Sequence, residues 1–202
     1  MRCMETLRHE LAAAAARLVV EEGLDYGRAK RRALSLLGAP QRTSLPDNDL
    51  IEREVRTYIE LFCADTQPGE LLALRRLALL WMERLARFRP HLGGAVWNGT
   101  ATRRSDIHLQ LFCDDPKSAE IALIDQGLHF EAHSVPGFNG DTADALSFTS
   151  PCPELGEPIG IHLMIHDHDD LRGALKPGTD GKPRRGDASA LAVRLAATEA
   201  HA

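Results

Sequence analysis

Aromatic residues make up only 5% of the chain, so its core has to be built mainly from Leu, Ala, Val and Ile. No apolar stretch approaches the ~20 residues that span a bilayer. The Ala-rich segment from Leu11 to Ala16 is bracketed by Glu10 and Arg17, too short for a secretory signal and without a cleavage context. The cysteines stand at positions 3, 63, 113 and 152, so there is no Cys-x-x-Cys zinc or redox unit. That scatter predicts reduced thiols and a cytoplasmic protein. The chain has no G-x-x-x-x-G-K-[ST] loop, which excludes the phosphate cradle of P-loop ATPases and Mur-type ligases. It also has no G-x-S-x-G elbow, H-E-x-x-H or G-x-G-x-x-G.

What is present falls into two halves. The 202 residues carry a net charge of -5, and 44% of them are hydrophobic, which is the composition of a globular chain. Residues 1–92 hold 15 Lys/Arg and 13 Asp/Glu, whereas residues 93–202 hold 9 and 16, together with seven of the nine His. An acidic, His-rich half argues against a broad nucleic-acid surface there and leaves metal chemistry open.

The first half has helical periodicity. Apolar stripes predict helices over Thr6–Glu22, from Asp25 to Leu37, from Asp47 or Asn48 to Phe62, and over Glu70–Phe88. From Gly93 the pattern changes. Gly94–Trp97 is a short apolar run ending at Asn98-Gly99-Thr100. Ser105–Phe112, Leu128–His133, the stretch around Leu146 and Phe148, and Ile159–Ile165 alternate apolar and polar residues, the signature of strands with one buried face. Asp115-Pro116 opens an intervening helix to about Gln126, and a last helix runs from Asp187 to about Thr198. The expected fold is α+β: a helical region over 1–92, then a mixed sheet over 93–202 with one face covered by helices, the helix 70–88 being shared between them. Asp106, His108, His129, Glu131, His133, His162 and His166 all fall on the side of their strands away from the apolar residues.

The segment Val96-Trp97-Asn98-Gly99-Thr100-Ala101-Thr102-Arg103-Arg104-Ser105-Asp106-Ile107-His108-Leu109 resembles the signature of the nucleotidyltransferase superfamily, the fold of the minimal nucleotidyltransferases and polymerase β. In that family a strand ends in Gly-Ser or Gly-Gly, a second strand reads Asp-hydrophobic-Asp (or Glu)-hydrophobic, and a later strand brings a third acid. The resemblance implies that Gly99 and Thr100, with Arg103 and Arg104, hold a triphosphate. It implies that Asp106 and Glu131 are catalytic acids, and that Asp106, His108 and Glu131 hold a divalent metal, Mg2+ or Mn2+. The chemistry is coherent, because residues i and i+2 of a strand point the same way and can converge on a metal pair that clamps a transferring phosphoryl group. The implied activity is transfer of a nucleoside monophosphate from NTP to an acceptor that the sequence does not identify. The departure is His108, an imidazole where Mg2+ favours hard oxygen ligands. It supports an alternative: a catalytically degenerate protein of the same fold that acts as a binding or regulatory module. A helix-turn-helix DNA-binding reading of Ala15–Gly38 is weaker, given the near-neutral charge of that half and the want of a recognition helix.

Overall fold

A computed structural model describes residues 2–40, 42–137, 142–176 and 181–199. The chain divides into two compact units. One comprises residues 1–69 and 100–105, the other 70–99 and 106–202. The stretch from Glu70, which holds most of the fourth helix, belongs with the sheet.

The helical unit is built from α1 (Arg2–Glu22), α2 (Tyr26–Leu36) and α3 (Asn48–Phe62). Asp25 and Asp47 cap α2 and α3 by accepting the backbone N–H groups of Arg28 and Leu50. The core is formed by Leu11, Ala15, Leu18, Ala29, Ile51 and Val55, all buried. Segment 100–105 is tied to this unit: the Gln67 side chain donates to the Ala101 carbonyl at 2.8 Å, and the Thr102 N–H donates to Ser105 Oγ at 3.1 Å. A Cβ at Gly23 would lie 2.4 Å from the Arg104 carbonyl oxygen, and Gly23 has φ +71°, so the turn after α1 requires glycine.

The second unit is α+β, as expected. After α4 (Gln67–Arg84) come β1 (His91–Gly93), α5 (Gly94–Asn98), β2 (Ile107–Phe112), α6 (Pro116–Asp125), β3 (Glu131–Pro136), β4 (Thr142–Cys152), β5 (Glu157–His166), α7 (Leu171–Ala174), β6 (Arg185–Gly186) and α8 (Ala188–Glu199). Among the described residues the strands form one mixed sheet in the order β3-β4-β5-β2-β1-β6. β2 and β5 are parallel, and the remaining neighbours are antiparallel.

Register fixes the two faces. Ile107, Leu109 and Leu111 sit opposite Ile161, Leu163 and Ile165, and Leu146 and Phe148 continue the same buried face on β4. α4 lies against it: Trp81 meets Phe148 edge-on at 4.8 Å, and its indole N–H donates to Ser150 Oγ at 3.0 Å. At the other end of the sheet Trp97 of α5 packs closely against Gly186, donates to the Pro183 carbonyl and lies under the Arg194 guanidinium.

Two local expectations change. Gly94–Trp97 is helical; the strand is the three residues before it. The expected helix 70–88 ends at Arg84, followed by a 3-10 turn over Ala86–Phe88.

Candidate functional site

The second sheet face carries the polar residues. Across it, one row of paired positions reads Glu131 (β3), Ser147 (β4), His162 (β5), His108 (β2), Gly93 (β1), Arg185 (β6). Asp106 precedes β2 by one residue and has the same parity as His108. It meets Gly160 of β5, where an added Cβ would be 2.5 Å from Asp106 Oδ1.

The imidazole of His162 stands at the centre. Its Nε2 is 3.1 Å from Asp106 Oδ2, and its Nδ1 is 2.8 Å from Ser147 Oγ. The His108 ring stacks on it, centroids 4.9 Å apart and planes 19° apart. The His162 hydrogen bond, the charges of the two imidazoles and the Gly160 N–H hold the Asp106 carboxyl below its ordinary range, although partial burial opposes this. The carboxylate is half exposed, so the interaction is screened. Asp106, Ser147, His162 and Glu131 line one open cleft of about 650 Å³.

The residues expected to bind phosphate fall in both units. Gly99 does not end a strand. It caps α5, with φ +84° and its N–H on the Ala95 carbonyl. The glycine pair that does end a strand beside the Asp106-x-His108 strand is Gly93-Gly94. Gly93 pairs directly with His108, and Gly94 is exposed with φ +67°. Thr100 is 3% exposed, and its hydroxyl has no hydrogen-bond partner among the described residues, so the expectation that it contacts phosphate is not met by its burial. Arg103 and Arg104 are exposed on segment 100–105, which belongs to the helical unit.

The expected metal set is not brought together either. β3 is three steps from β2 in the sheet, about 14 Å at ~4.8 Å per step. Glu131 lines the cleft that Asp106 also lines, but it cannot share an ion with Asp106 and His108. The strand beside β2 is β5, and its residue next to His108 is His162. The two positions from which carboxylates would join Asp106 are thus both imidazoles. Among the described residues no three His, Cys, Asp or Glu side chains form a group able to hold a metal ion. A Mg2+ centre requires hard oxygen donors, and these residues do not fit it. His166, grouped with His162 and His168 in the sequence as H-x3-H-x-H, is 6% exposed and stacks on Phe112. Burial pushes its pKa down, which Asp170 opposes and Arg185 reinforces.

Sequence parity puts His162 on one face with Asp106 and His108 but does not show that they are neighbours. Ser147 and Gly160 carry no recognisable sequence signal of their own, and only the register brings them to the site.

No protein-family model matches the chain, and no curated protein matches it. Among solved structures it is similar to Cid1 poly(U) polymerase with MgGTP bound, at 15% identity and a TM-score of 0.36, covering 57% of this chain and 38% of that one. It is likewise similar to Cid1 in complex with the UTP analogue UMPNPP, at 17% identity and a TM-score of 0.35, covering 57% of this chain and 36% of that one. The chain spans less than half the length of these structures. No helix among the described residues is long and apolar enough to cross a membrane.

Proposed function

We propose that the chain is a nucleotidyltransferase-fold protein that has lost the paired metal acids and works as a binding module for a nucleotide, without transferring it. The observation that carries this is the pair His108 and His162, standing on neighbouring strands at the two positions next to Asp106. A carboxylate engaged by an imidazole, with a second imidazole stacked beyond it, offers one oxygen ligand where a two-metal centre needs several. The strand-ending Gly93-Gly94 turn, open at Gly94 and beside His108, leaves the backbone accessible to a phosphate.

Isothermal titration with each of the four NTPs, in EDTA and then with Mg2+ or Mn2+, tests the reading. Expected are binding that metal does not strengthen and no release of pyrophosphate with any acceptor tried. The double variant His108→Asp/His162→Asp is expected to acquire Mg2+ binding. Metal-dependent transfer of NMP by the native chain, abolished by Asp106→Ala, overturns the proposal and restores the metal-dependent enzyme.

A further inference from the structure

We infer that Ser147, His162 and Asp106 form a nucleophilic triad able to cleave small esters, an activity independent of any nucleotide bound by the same protein. The three side chains come from three adjacent elements, β4, β5 and the residue before β2, and they make one continuous hydrogen-bonded chain. Ser147 Oγ is 2.8 Å from His162 Nδ1, and His162 Nε2 is 3.1 Å from Asp106 Oδ2. All three line the same open cleft, so the serine oxygen is reachable.

The protonation pattern follows from the partners. An ionised carboxylate only accepts, so Nε2 carries the hydrogen that points to Asp106. In the neutral imidazole Nδ1 is then the acceptor, and the Ser147 hydroxyl donates to it. This is the electronic arrangement of a serine–histidine–carboxylate relay with the two ring nitrogens exchanged. The low-lying ionisation of Asp106 keeps its charge available to hold that tautomer and to stabilise an imidazolium.

The step balances as written. Ser147 Oγ adds to the ester carbonyl carbon while its proton passes to His162 Nδ1. Collapse of the tetrahedral adduct breaks the bond to the alkoxy oxygen, which leaves as the alcohol with that proton. Water then adds to the acyl-serine by the same route, releasing the acid and restoring the hydroxyl. Thr149 and His129 line the same cleft and carry side-chain donors of the kind an oxyanion needs. Glu131 sits directly opposite Ser147 in register, and Asp106 carries a second negative charge, so the class of substrate admitted is an uncharged or cationic ester.

The test uses the full chain, an uncharged alkyl fluorophosphonate and p-nitrophenyl acetate. Attack on the fluorophosphonate forms an Oγ–P bond, expels fluoride and leaves an adduct that peptide mass spectrometry locates. Expected is a single adduct on Ser147, with p-nitrophenyl acetate cleavage lost in Ser147→Ala. His162→Gln is expected to slow labelling by roughly 100-fold or more, as removal of a general base does. Asp106→Asn, nearly isosteric and half exposed, guards against a folding artefact. It is expected to keep the native circular dichroism spectrum and to slow labelling. No adduct on Ser147, or labelling of Ser147 at the same rate in His162→Gln and Asp106→Asn, overturns the inference.

Discussion

Gly160→Ala separates the geometry of the site from the stability of the fold. A Cβ at this position would be 2.5 Å from Asp106 Oδ1 and 2.7 Å from Asp106 Cγ, against ordinary contact at 3.4 Å or more. The carboxylate must therefore retreat by about 0.9 Å, enough to carry Oδ2 beyond hydrogen-bond range of His162 Nε2, now 3.1 Å away. Because Asp106 is half exposed it can swing into solvent. The lost ion-paired hydrogen bond is then worth no more than about 1 kcal/mol. Against this, alanine restricts the unfolded chain and stabilises by ~0.4–1 kcal/mol where the backbone tolerates it, as it does here, since Gly160 does not lie at positive φ. The two effects nearly cancel, and urea denaturation is expected to show a change within about 0.5 kcal/mol. The Asp106 titration, followed by carboxyl carbon NMR, is expected to move up toward the ordinary aspartate value, because its largest stabiliser is the His162 hydrogen bond. The sign of the stability effect follows. A depressed carboxyl contributes stability above its unfolded pKa of about 3.9 and loses it as pH falls through the folded value, so the variant is expected to lose less on acidification. A destabilisation above about 2 kcal/mol, of the size that overpacking a rigid site causes, or an unmoved Asp106 titration, refutes the reasoning.

Gly186→Ala is the contrasting case. Its Cβ would fall 2.1 Å from a Trp97 ring that is 2% exposed and held by the Pro183 carbonyl and Arg194. The ring has nowhere to go, and urea denaturation is expected to show a loss of ~1–3 kcal/mol. His166→Phe is expected to flatten the pH dependence of stability. A buried imidazole with a lowered pKa adds stability above its unfolded value of about 6.5 and loses it as pH falls through the folded value, a slope that phenylalanine stacked on Phe112 removes. Denaturation midpoints compared across mildly acidic to neutral pH in both chains check this.

The helices were legible because each carries its own local signals. Asp25, Asp47 and Asp115 cap where the sequence places caps, and Gly23 and Gly127 follow helix ends at φ +71° and +70°. The long strands were legible from alternation. The three-residue β1 and two-residue β6 were not, since periodicity cannot register over so few residues. The apolar Gly94–Trp97 that follows β1 stands where the family resemblance implies a strand before Gly99, yet it is helical. Gly94 takes positive φ at its start, and Trp97 must reach back to Gly186, a partner 89 positions later in the chain.

The same limit decided the site. Parity correctly puts Asp106, His108, Glu131 and His162 on one face, because the alternation of a strand is local. Which of them are neighbours depends on strand order, and that order is set by the non-local pairing of β2 with β5 and by the hairpin β3-β4, which carries Glu131 to the sheet edge. Once His162 rather than Glu131 is the neighbour, the negative charge of the site falls. Three carboxylates would demand divalent cations before a triphosphate could approach. One carboxylate beside two imidazoles carries much less negative charge. The presence of imidazoles at positions 108 and 162 therefore does more than leave out metal ligands. It removes the electrostatic need for the metal, and it leaves a histidine oriented by Asp106 and hydrogen-bonded to a serine hydroxyl in an open cleft.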